Sequence, residues 1–315
     1  MKILFGIQIT GNGHITRSEV LIKKLESLGH TVDIVVSGNG SGLNVGAKWK
    51  FSGFTLFSNG FGGVNYLKSI LWVNPFKIVR DVIKLSKEDY DLVISDFEPI
   101  SIWSSFFGGK KCISICNQNS ILDTSGNYLK KLFILIMTFG SIRLKYSYTK
   151  PDSSGYYPPV DLGLGEITSG NTIVVYMPYT NYGEIIKVAK NFNDVNWVIY
   201  CGVDKVVSSN ILLKKIDRSG FIESLKSSKG VITSCGFSTT FEALYLKKKL
   251  WAIPLRGQWE QIENSKILKK LGVFTSEFNV ENFKTWQQDY NFIELDIKDD
   301  TGELVEKIME INEKG

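Results

Sequence analysis

The chain has 315 residues, enough for two domains of ordinary size, and its composition is that of a globular protein. The formal net charge of +5 permits an anionic ligand, but no basic run interleaved with aromatic residues indicates nucleic acid. No apolar run reaches the roughly 20 residues of a transmembrane helix, and the start of the chain lacks a cleavable signal pattern. The four cysteines have no metal-site spacing and favour buried, reduced thiols. We therefore expect a cytoplasmic protein of two domains.

The first elements predict a β-α-β unit with a glycine-rich turn. Apolar residues alternate over 2–9 as in a buried parallel strand. Helical spacing over 15–28 ends at Gly29, and 31–36 forms a second strand. A dinucleotide-binding domain begins in the same way, but Thr16 takes the place of the third glycine in its fingerprint. The second strand also ends without an acidic residue for an adenosine ribose, so NAD is disfavoured.

The first turn contains Gly11, Asn12, Gly13 and His14, and His14 is one of only two histidines. Imidazole is suited by its intrinsic proton affinity to act as a general base near neutral pH. The alternative is a loop histidine that caps the following helix or bonds to backbone. Arg17, one helical turn later, indicates either a negatively charged acceptor or a salt bridge.

The next segments predict a strand at 50–57, a glycine-rich loop at 59–63 and a helix over 65–87 that is broken at Pro75. Glycine-rich loops are often part of binding sites, although such turns without a function are commoner.

Asp96 follows a predicted buried strand at 91–95, and ligands bind at the carboxyl ends of strands in open α/β sheets. One alternative makes Asp96 the cap of a helix that starts at Pro99. Another pairs Asp96 with Glu98 on a divalent metal ion.

A strand at 110–116 precedes an apolar segment with basic residues at 128–145. Between residues 121 and 150 there are five basic side chains and one acidic side chain. An amphipathic basic helix of this kind can bind an anionic membrane, although a core helix with solvated ends is the commoner structure. The segment 151–170 is rich in Pro, Gly and Ser and marks a boundary between domains 1–160 and 161–315.

The carboxyl half contains a turn that joins a buried strand at 230–233 to a helix. Gly236 can adopt backbone conformations that other residues resist, and a helix start with neighbouring hydroxyls suits a phosphate. Glu242 lies four residues after Ser238, where it can accept hydrogen bonds from a ribose. The alternative is a capping box with Thr239 as the N-cap and Glu242 reaching back. The three lysines at 247–249 predict a solvated turn.

From Ser234 to Asn264 the chain resembles the donor-binding signature of GT-B glycosyltransferases, in the UDP-glycosyltransferase and MurG-like superfamily. That signature is roughly His-Cys-Gly-Trp-Asn-Ser-Thr-x-Glu, followed by an apolar strand ending in Pro and then Asp-Gln-x-x-Asn. Ser234 replaces its histidine, which meets the diphosphate, and Glu260 replaces its aspartate, which contacts sugar hydroxyls. The turn at 11–14 is similar to the Gly-x-Gly-His turn of the superfamily.

The resemblance implies an α/β GT-B fold of two Rossmann-like, doubly wound domains that face a central cleft. It implies an inverting, metal-independent hexosyltransferase that uses a UDP-linked sugar and no cofactor. His14 would take the proton of the acceptor hydroxyl, and Asp96 would orient His14. The implied acceptor loop is Gly11, Asn12 and Gly13. The implied nucleotide-sugar residues are Phe221, Ile222, Ser234, Gly236, Phe237, Ser238, Thr239, Thr240, Glu242, Glu260, Gln261 and Asn264.

The expected partners are a nucleotide-sugar donor and a hydroxyl acceptor on a lipid, a glycan or a small molecule. MurG-type enzymes dock on membranes, which implies peripheral contact with the inner face of a membrane through 128–145. Two alternatives remain open at this stage. One is a UDP-sugar epimerase of the same fold, and the other is a non-catalytic module that binds nucleotide-sugars.

Overall fold

The computed structural model describes residues 1–9, 11–38, 46–53, 74–124, 126, 128–150 and 155–314. They form two compact α/β units, each built on a mostly parallel sheet. The first unit contains the described residues up to Asp161 and the carboxyl-terminal segment from Ile297, and the second is Leu162–Asp296. The loop predicted at 59–63, the first part (65–73) of the helix predicted over 65–87 and the last residues of the strand predicted at 50–57 lie outside the described residues.

Seven strands form the sheet of the first unit within the described residues. They are β1 (Lys2–Gln8), β2 (Thr31–Ser37), β3 (Trp49–Phe51), β4 (Leu92–Asp96), β5 (Cys112–Cys116), β6 (Ile142–Tyr146) and β7 (Gly155–Tyr156). All neighbouring pairs are parallel, and the order is β3-β2-β1-β4-β5-β6-β7. The order changes direction between β1 and β4, and ligands bind at such a switch point in open α/β sheets.

Four α-helices of the first unit are α1 (Asn12–Ser27), α2 (Pro75–Ser86), α3 (Pro99–Phe107) and α4 (Tyr128–Met137), and a 3-10 helix spans Asn117–Asp123. Helix α1 begins three residues earlier than the sequence predicts, so His14 belongs to its first turn. Pro75 does not break a helix within the described residues. It is the first residue of α2, which Asn74 caps by accepting from the Lys77 amide at 3.0 Å.

The second unit has a six-stranded sheet in its described residues. Its strands are β8 (Thr172–Tyr176), β9 (Asn196–Tyr200), β10 (Lys205–Ser208), β11 (Ile211–Lys214), β12 (Gly230–Ser234) and β13 (Lys249–Ile253), in the order β10-β11-β9-β8-β12-β13. Only β10 and β11 pair antiparallel, as a hairpin that the sequence analysis did not predict. The helices are α5 (Tyr182–Ala189), α6 (Arg218–Ser227), α7 (Phe237–Tyr245), α8 (Trp259–Lys270) and α9 (Val280–Asp289).

Three tryptophans fill the core of the second unit. Trp197, Trp251 and Trp286 are at most 1% exposed and pack among the apolar residues of β8, β9 and β12. Gly230 permits this packing, because a Cβ atom there would lie 2.8 Å from the Trp286 ring. The core therefore fixes β12, the strand that precedes the candidate donor turn.

Two buried lysines hold the start of the second unit. Lys226 Nζ donates to the Gly163 and Leu164 carbonyls at 3.0 and 2.9 Å. Lys248 Nζ donates to the carbonyls of Thr168, Lys226 and Ser228 at 2.6, 2.6 and 2.9 Å. The solvated turn predicted for the three lysines is therefore wrong at Lys248, which is 4% exposed.

The last helix, α10 (Thr301–Glu313), belongs to the first unit. Lys111 Nζ donates to the Ile311 carbonyl at 3.0 Å, and Lys150 Nζ lies 2.6 Å from an Asp300 carboxylate oxygen. Through these long-range contacts, the residues from Ile297 onward belong to the first unit. The sequence analysis placed them in the domain 161–315. Among the described helices, none has the length and apolarity that crossing a bilayer requires.

Candidate active site

His14 and Asp96 meet at the carboxyl ends of two neighbouring strands. The parallel register pairs Ile7 of β1 with Asp96 of β4, so the turn after β1 lies beside Asp96. His14 Nδ1 lies 2.8 Å from Asp96 Oδ1. The His14 side chain is 12% exposed and that of Asp96 is 1% exposed. The structure thus pairs a buried carboxylate with an imidazole that solvent can reach.

Arg17 forms a buried ion pair with the same carboxylate. Its Nε lies 2.6 Å from Asp96 Oδ2, and its Nη2 lies 2.6 Å from Asp96 Oδ1. Arg17 is 3% exposed, so this bidentate pair is screened from water. Of the two interpretations of Arg17, the structure supports the salt bridge. Burial opposes ionisation of Asp96, but Arg17 and His14 together hold its pKa below the usual value.

Glu98, rather than Asp96, caps the helix that starts at Pro99. The Glu98 carboxylate accepts from the backbone amides of Ile100 and Ser101 at 2.9 and 2.7 Å. The alternative role of Asp96 as the cap is therefore wrong. Burial raises the pKa of Glu98, although these amides oppose the shift.

The backbone between the two acids explains their different environments. Phe97 has a φ of 58°, in the left-handed region that is unfavourable for a bulky residue. After this turn, the Asp96 carboxylate contacts His14 and Arg17, whereas the Glu98 carboxylate accepts from the first amides of α3. The two carboxylates are therefore not placed to bind the same metal ion. Among the described residues, no group of three or more His, Cys, Asp or Glu side chains is placed to hold a metal ion.

The predicted acceptor loop forms the start of α1. Gly11 is the N-cap, with extended backbone and no side-chain cap, and Asn12 and Gly13 are the first helical residues. A Cβ atom at Gly11 would meet no atom within 4 Å. Gly11 therefore borders open space at the start of the helix that carries His14.

Gly236 is the N-cap of α7 in the second unit, with φ −67° and ψ 130°. Any residue can adopt this conformation, so the unusual backbone expected at Gly236 is not present. A Cβ atom there would meet no atom within 4 Å. The glycine thus leaves space at the turn, and a ligand could approach the backbone there.

The hydroxyl residues of this turn have different surroundings. Thr240 is 0% exposed, and its Oγ1 donates to the Gly236 carbonyl at 2.8 Å and to the Phe237 carbonyl at 3.1 Å. Ser238 and Thr239 are partly exposed in the first turn of α7. The amides of a first helical turn lack partners inside the helix, and this end carries partial positive charge. Ser238 and Thr239 therefore lie where a diphosphate can bind, whereas Thr240 supports the turn.

Ser234, the last residue of β12, is 7% exposed, and Phe237, the first residue of α7, is 5% exposed. Their side chains are thus largely buried beside Gly236.

Glu242 binds an arginine that the sequence analysis did not select. Arg218 Nη2 lies 2.8 Å from Glu242 Oε1, and Arg218 Nη1 lies 3.1 Å from Oε2. The capping box with Thr239 and Glu242 is therefore wrong, since Gly236 is the N-cap. Glu242 is 4% exposed, and Arg218 is about a third exposed. The two residues are 24 positions apart, so no local spacing rule connects them.

Two amide side chains of α8 support the loops around the turn. Asn264 Nδ2 donates to the Cys235 carbonyl at 3.0 Å, and Gln261 Oε1 accepts from the Leu255 amide at 3.1 Å. Both side chains are buried, so their amide groups hold the backbone of neighbouring loops in place and do not face open space. Glu260 is partly exposed in the first turn of α8.

Phe221 and Ile222 lie in α6 and are each 7% exposed. The Phe221 ring packs against Tyr176 and Tyr200, with centroid distances of 5.4 and 5.2 Å. The Phe221 amide donates to the Asp217 carbonyl at 3.0 Å. This amide is therefore used inside α6 and forms part of its first turn.

Comparison with known proteins identifies the family. The model of glycosyl transferase family 1 matches residues 1–134 and 161–287, which include both predicted signatures. No curated protein sequence matches the chain.

Solved glycosyltransferases have the same fold. The glycosyltransferase SnogD from Streptomyces nogalater is 17% identical, with a TM-score of 0.58 over 92% of this chain and 91% of SnogD. UGT89C1 from Arabidopsis thaliana, complexed with UDP, is 13% identical, with a TM-score of 0.63 over 98% and 94% of the two chains. The glycosyltransferase VinC, in complex with dTDP, is 11% identical, with a TM-score of 0.61 over the whole of both chains. These similarities confirm the predicted GT-B fold, and the chain belongs to glycosyl transferase family 1.

Proposed function

We propose that this glycosyltransferase moves a sugar from a nucleoside-diphosphate sugar, most simply a UDP-sugar, to a hydroxyl acceptor. The observation that carries the proposal is the contact of a solvent-accessible imidazole, His14, with the buried carboxylate of Asp96. The open turn at Gly236 supports the donor class, as do the UDP complex of UGT89C1 and the dTDP complex of VinC.

In the proposed reaction, Nδ1–H of His14 donates to Asp96, which leaves the Nε2 lone pair as the base. Nε2 takes the proton of the acceptor hydroxyl as its oxygen attacks the anomeric carbon. The bond from that carbon to the diphosphate oxygen breaks, and the diphosphate leaves with the bonding electrons. A single displacement of this kind inverts the anomeric carbon. The start of α7 stabilises the departing negative charge, so the step requires neither a cofactor nor a metal ion.

Glu242 is the proposed ribose ligand in the second unit. A carboxylate offers about four acceptor positions, and Arg218 occupies one on each oxygen. The remaining positions can accept from ribose hydroxyls. The ion pair holds the Glu242 side chain in place, because both oxygens are fixed by one planar guanidinium.

The first experiment measures thermal shifts with UDP, dTDP, ADP and GDP, and then the release of nucleoside diphosphate from the matching sugar donors. Quercetin, which was bound by UGT89C1, is a suitable first acceptor. We expect a uridine or thymidine diphosphate to raise Tm. His14→Ala should keep that shift and lose roughly 10²-fold or more in turnover.

His30→Ala is the matched control, because His30 is the other histidine and its Nδ1 lies 3.5 Å from the terminal amine. Wild-type turnover in His14→Ala would refute the role of His14 as the base. Conversion of a UDP-sugar without any acceptor would instead indicate an epimerase.

We also propose peripheral membrane contact by an enzyme located in the cytoplasm. Helix α4 exposes Tyr128, Leu129 and Leu132 by 83%, 84% and 54%, beside Lys130 and Lys131. Apolar side chains flanked by lysines are suited to an anionic bilayer surface. Leu129→Glu should reduce sedimentation with vesicles of anionic lipid. Equal sedimentation of the variant and the wild type would contradict membrane binding through α4.

A further inference from the structure

Arg17 lies against the proposed base, and the proposed proton transfer does not use it. Its Nη2 is 2.8 Å from His14 Nδ1, one helical turn away on the same face of α1. The guanidinium is 3% exposed, so water screens its charge poorly. A fixed positive charge next to an imidazole affects how readily that imidazole holds a second proton.

The carboxylate of Asp96 accepts more donors than one histidine requires. Arg17 binds both oxygens at 2.6 Å, His14 binds Oδ1 at 2.8 Å, and Ser18 Oγ lies 3.4 Å from Oδ2. Arginine stays protonated at any pH of interest, so its charge balances that of Asp96 permanently. Asp96 can therefore orient the Nδ1–H group of His14, while the charge of Arg17 offsets the attraction that an unpaired carboxylate would exert on a positively charged imidazole.

The contact between Nη2 and Nδ1 depends on the protonation state of the imidazole. Arg17 has only donors, so this contact is a hydrogen bond only when Nδ1 carries no hydrogen. When Nδ1–H donates to Asp96, two N–H groups face each other. When Nε2 is protonated as well, two positive groups lie 2.8 Å apart. Even at the dielectric constant of water, this repulsion changes proton affinity about ten-fold, or about one pH unit.

Two other ionisable groups beside the ion pair stay neutral. The Arg17 Cζ lies 5.2 Å from the Tyr146 ring centroid, and Cys116 lies close enough to interact with Arg17 and Asp96. Burial raises the pKa of Cys116 to about 12 and that of Tyr146 well above its usual value. Within the part of the chain that the structure describes, the charged side chains that contact His14 are those of Arg17 and Asp96.

We propose that Arg17 is a positioning residue that holds the Asp96 carboxylate against Nδ1 of His14. Its positive charge also opposes the addition of a second proton to His14, compared with a protein in which Asp96 acts without Arg17. The inference rests on the proposed role of His14 as the base.

The test is an NMR titration of the imidazole in the full chain. The chain has two histidines, so the substitution His30→Gln leaves His14 as the sole signal in protein labelled with ¹⁵N-histidine. In that background, Arg17→Gln should move the protonation midpoint of His14 upward by about one pH unit or more. Arg17→Lys is the matched control, because it keeps the positive charge and should leave the midpoint within about half a pH unit of the reference.

A second comparison covers the case in which Arg17→Gln does not fold, because it leaves Asp96 buried and unpaired. Asp96→Asn removes the carboxylate, and adding Arg17→Met to it removes the positive charge as well. The double variant should titrate at higher pH than Asp96→Asn. If Arg17→Gln folds and its midpoint equals that of the reference, the inference is overturned. If Arg17→Gln does not fold, equal midpoints for Asp96→Asn and the double variant overturn it.

Failure of the inference can be distinguished from failure of the proposed function. If His14→Ala turns over like the wild type, the assignment of the base is wrong, whatever the titration gives. If His14→Ala is inactive and Arg17→Gln does not move the midpoint, only the inference about Arg17 is wrong. Once an acceptor is known, the acidic limb of kcat/KM should move in the same direction as the NMR midpoint.

Discussion

Lys248→Met should destabilise the second unit, although it replaces a buried charge with an apolar side chain of similar length. Lys248 Nζ makes three short hydrogen bonds to the backbone carbonyls of Thr168, Lys226 and Ser228. Hydrogen bonds from a charged donor contribute about 1.5–3 kcal/mol each, and a buried acceptor left without a donor costs about 1–3 kcal/mol.

Two effects reduce the loss. The Lys226 carbonyl also accepts from the Thr168 amide at 3.1 Å, so it keeps a partner in the variant. Removing the ammonium also recovers its desolvation cost, which is several kcal/mol for a buried ion. We expect a net decrease of about 2–4 kcal/mol in the free energy of unfolding.

Urea unfolding followed by tryptophan fluorescence measures this change. The buried tryptophans Trp197, Trp251 and Trp286 report on the core of the second unit. Hydrogen exchange of a peptide covering 163–170 gives a local measurement, because this segment should lose protection first.

Lys247→Met is the control for this substitution. Lys247 is half exposed and forms a surface ion pair with Glu294 at 3.0 Å, which is worth about 0–1 kcal/mol. If Lys248→Met unfolds at the same urea concentration as Lys247→Met, the carbonyl bonds of Lys248 do not stabilise the unit and the reasoning is refuted.

Two further predictions concern the ligand sites. Glu242→Gln should weaken UDP binding by about 1–3 kcal/mol in calorimetry while pyrophosphate, which has no ribose, binds as before; equal loss for both ligands would contradict a ribose contact. Asp96→Asn should lower the free energy of unfolding at pH 7 by about 3–5 kcal/mol, because Arg17 is left buried and unpaired. The folded-state pKa of Asp96 is lowered, so the wild type keeps its full advantage in free energy of unfolding over Asp96→Asn above about pH 4. That advantage is lost as the pH falls through the folded pKa of Asp96. A difference that stays constant down to pH 2 in urea titrations would show that the Asp96 charge is not its source.

The local patterns of the sequence predicted the positions of most elements that carry the site. Alternating apolar residues predicted β1, and a buried apolar run predicted β4, because strands of a covered parallel sheet bury both faces. His14 follows β1 and Asp96 is the last residue of β4, and the resemblance to GT-B glycosyltransferases predicted that their side chains would pair. The turn before α7 was recognised from its order of small and hydroxyl residues, since a helix start after a buried strand needs only local backbone geometry.

The partners of the charged side chains could not be predicted in the same way. Asp96 and Glu98 are two residues apart, and the sequence analysis considered Asp96, not Glu98, as the cap of the helix that starts at Pro99. The left-handed backbone at Phe97 separates their environments, and the sequence contains no glycine there that would have indicated it. Lys248 looked solvated among lysines, but the packing of the second unit buries it.

What the sequence by itself determined is the alternation of strands and helices around the site, the glycosyltransferase signatures and the position of His14 and Gly236 just after the strands β1 and β12. What only the tertiary structure decided is which distant charges pair: Arg17 with Asp96 over 79 positions, and Arg218 with Glu242 over 24. The physical reason is that backbone propensity and hydrophobic period act within a few residues, whereas an ion pair depends on the sheet register and on side chains that packing excludes from water.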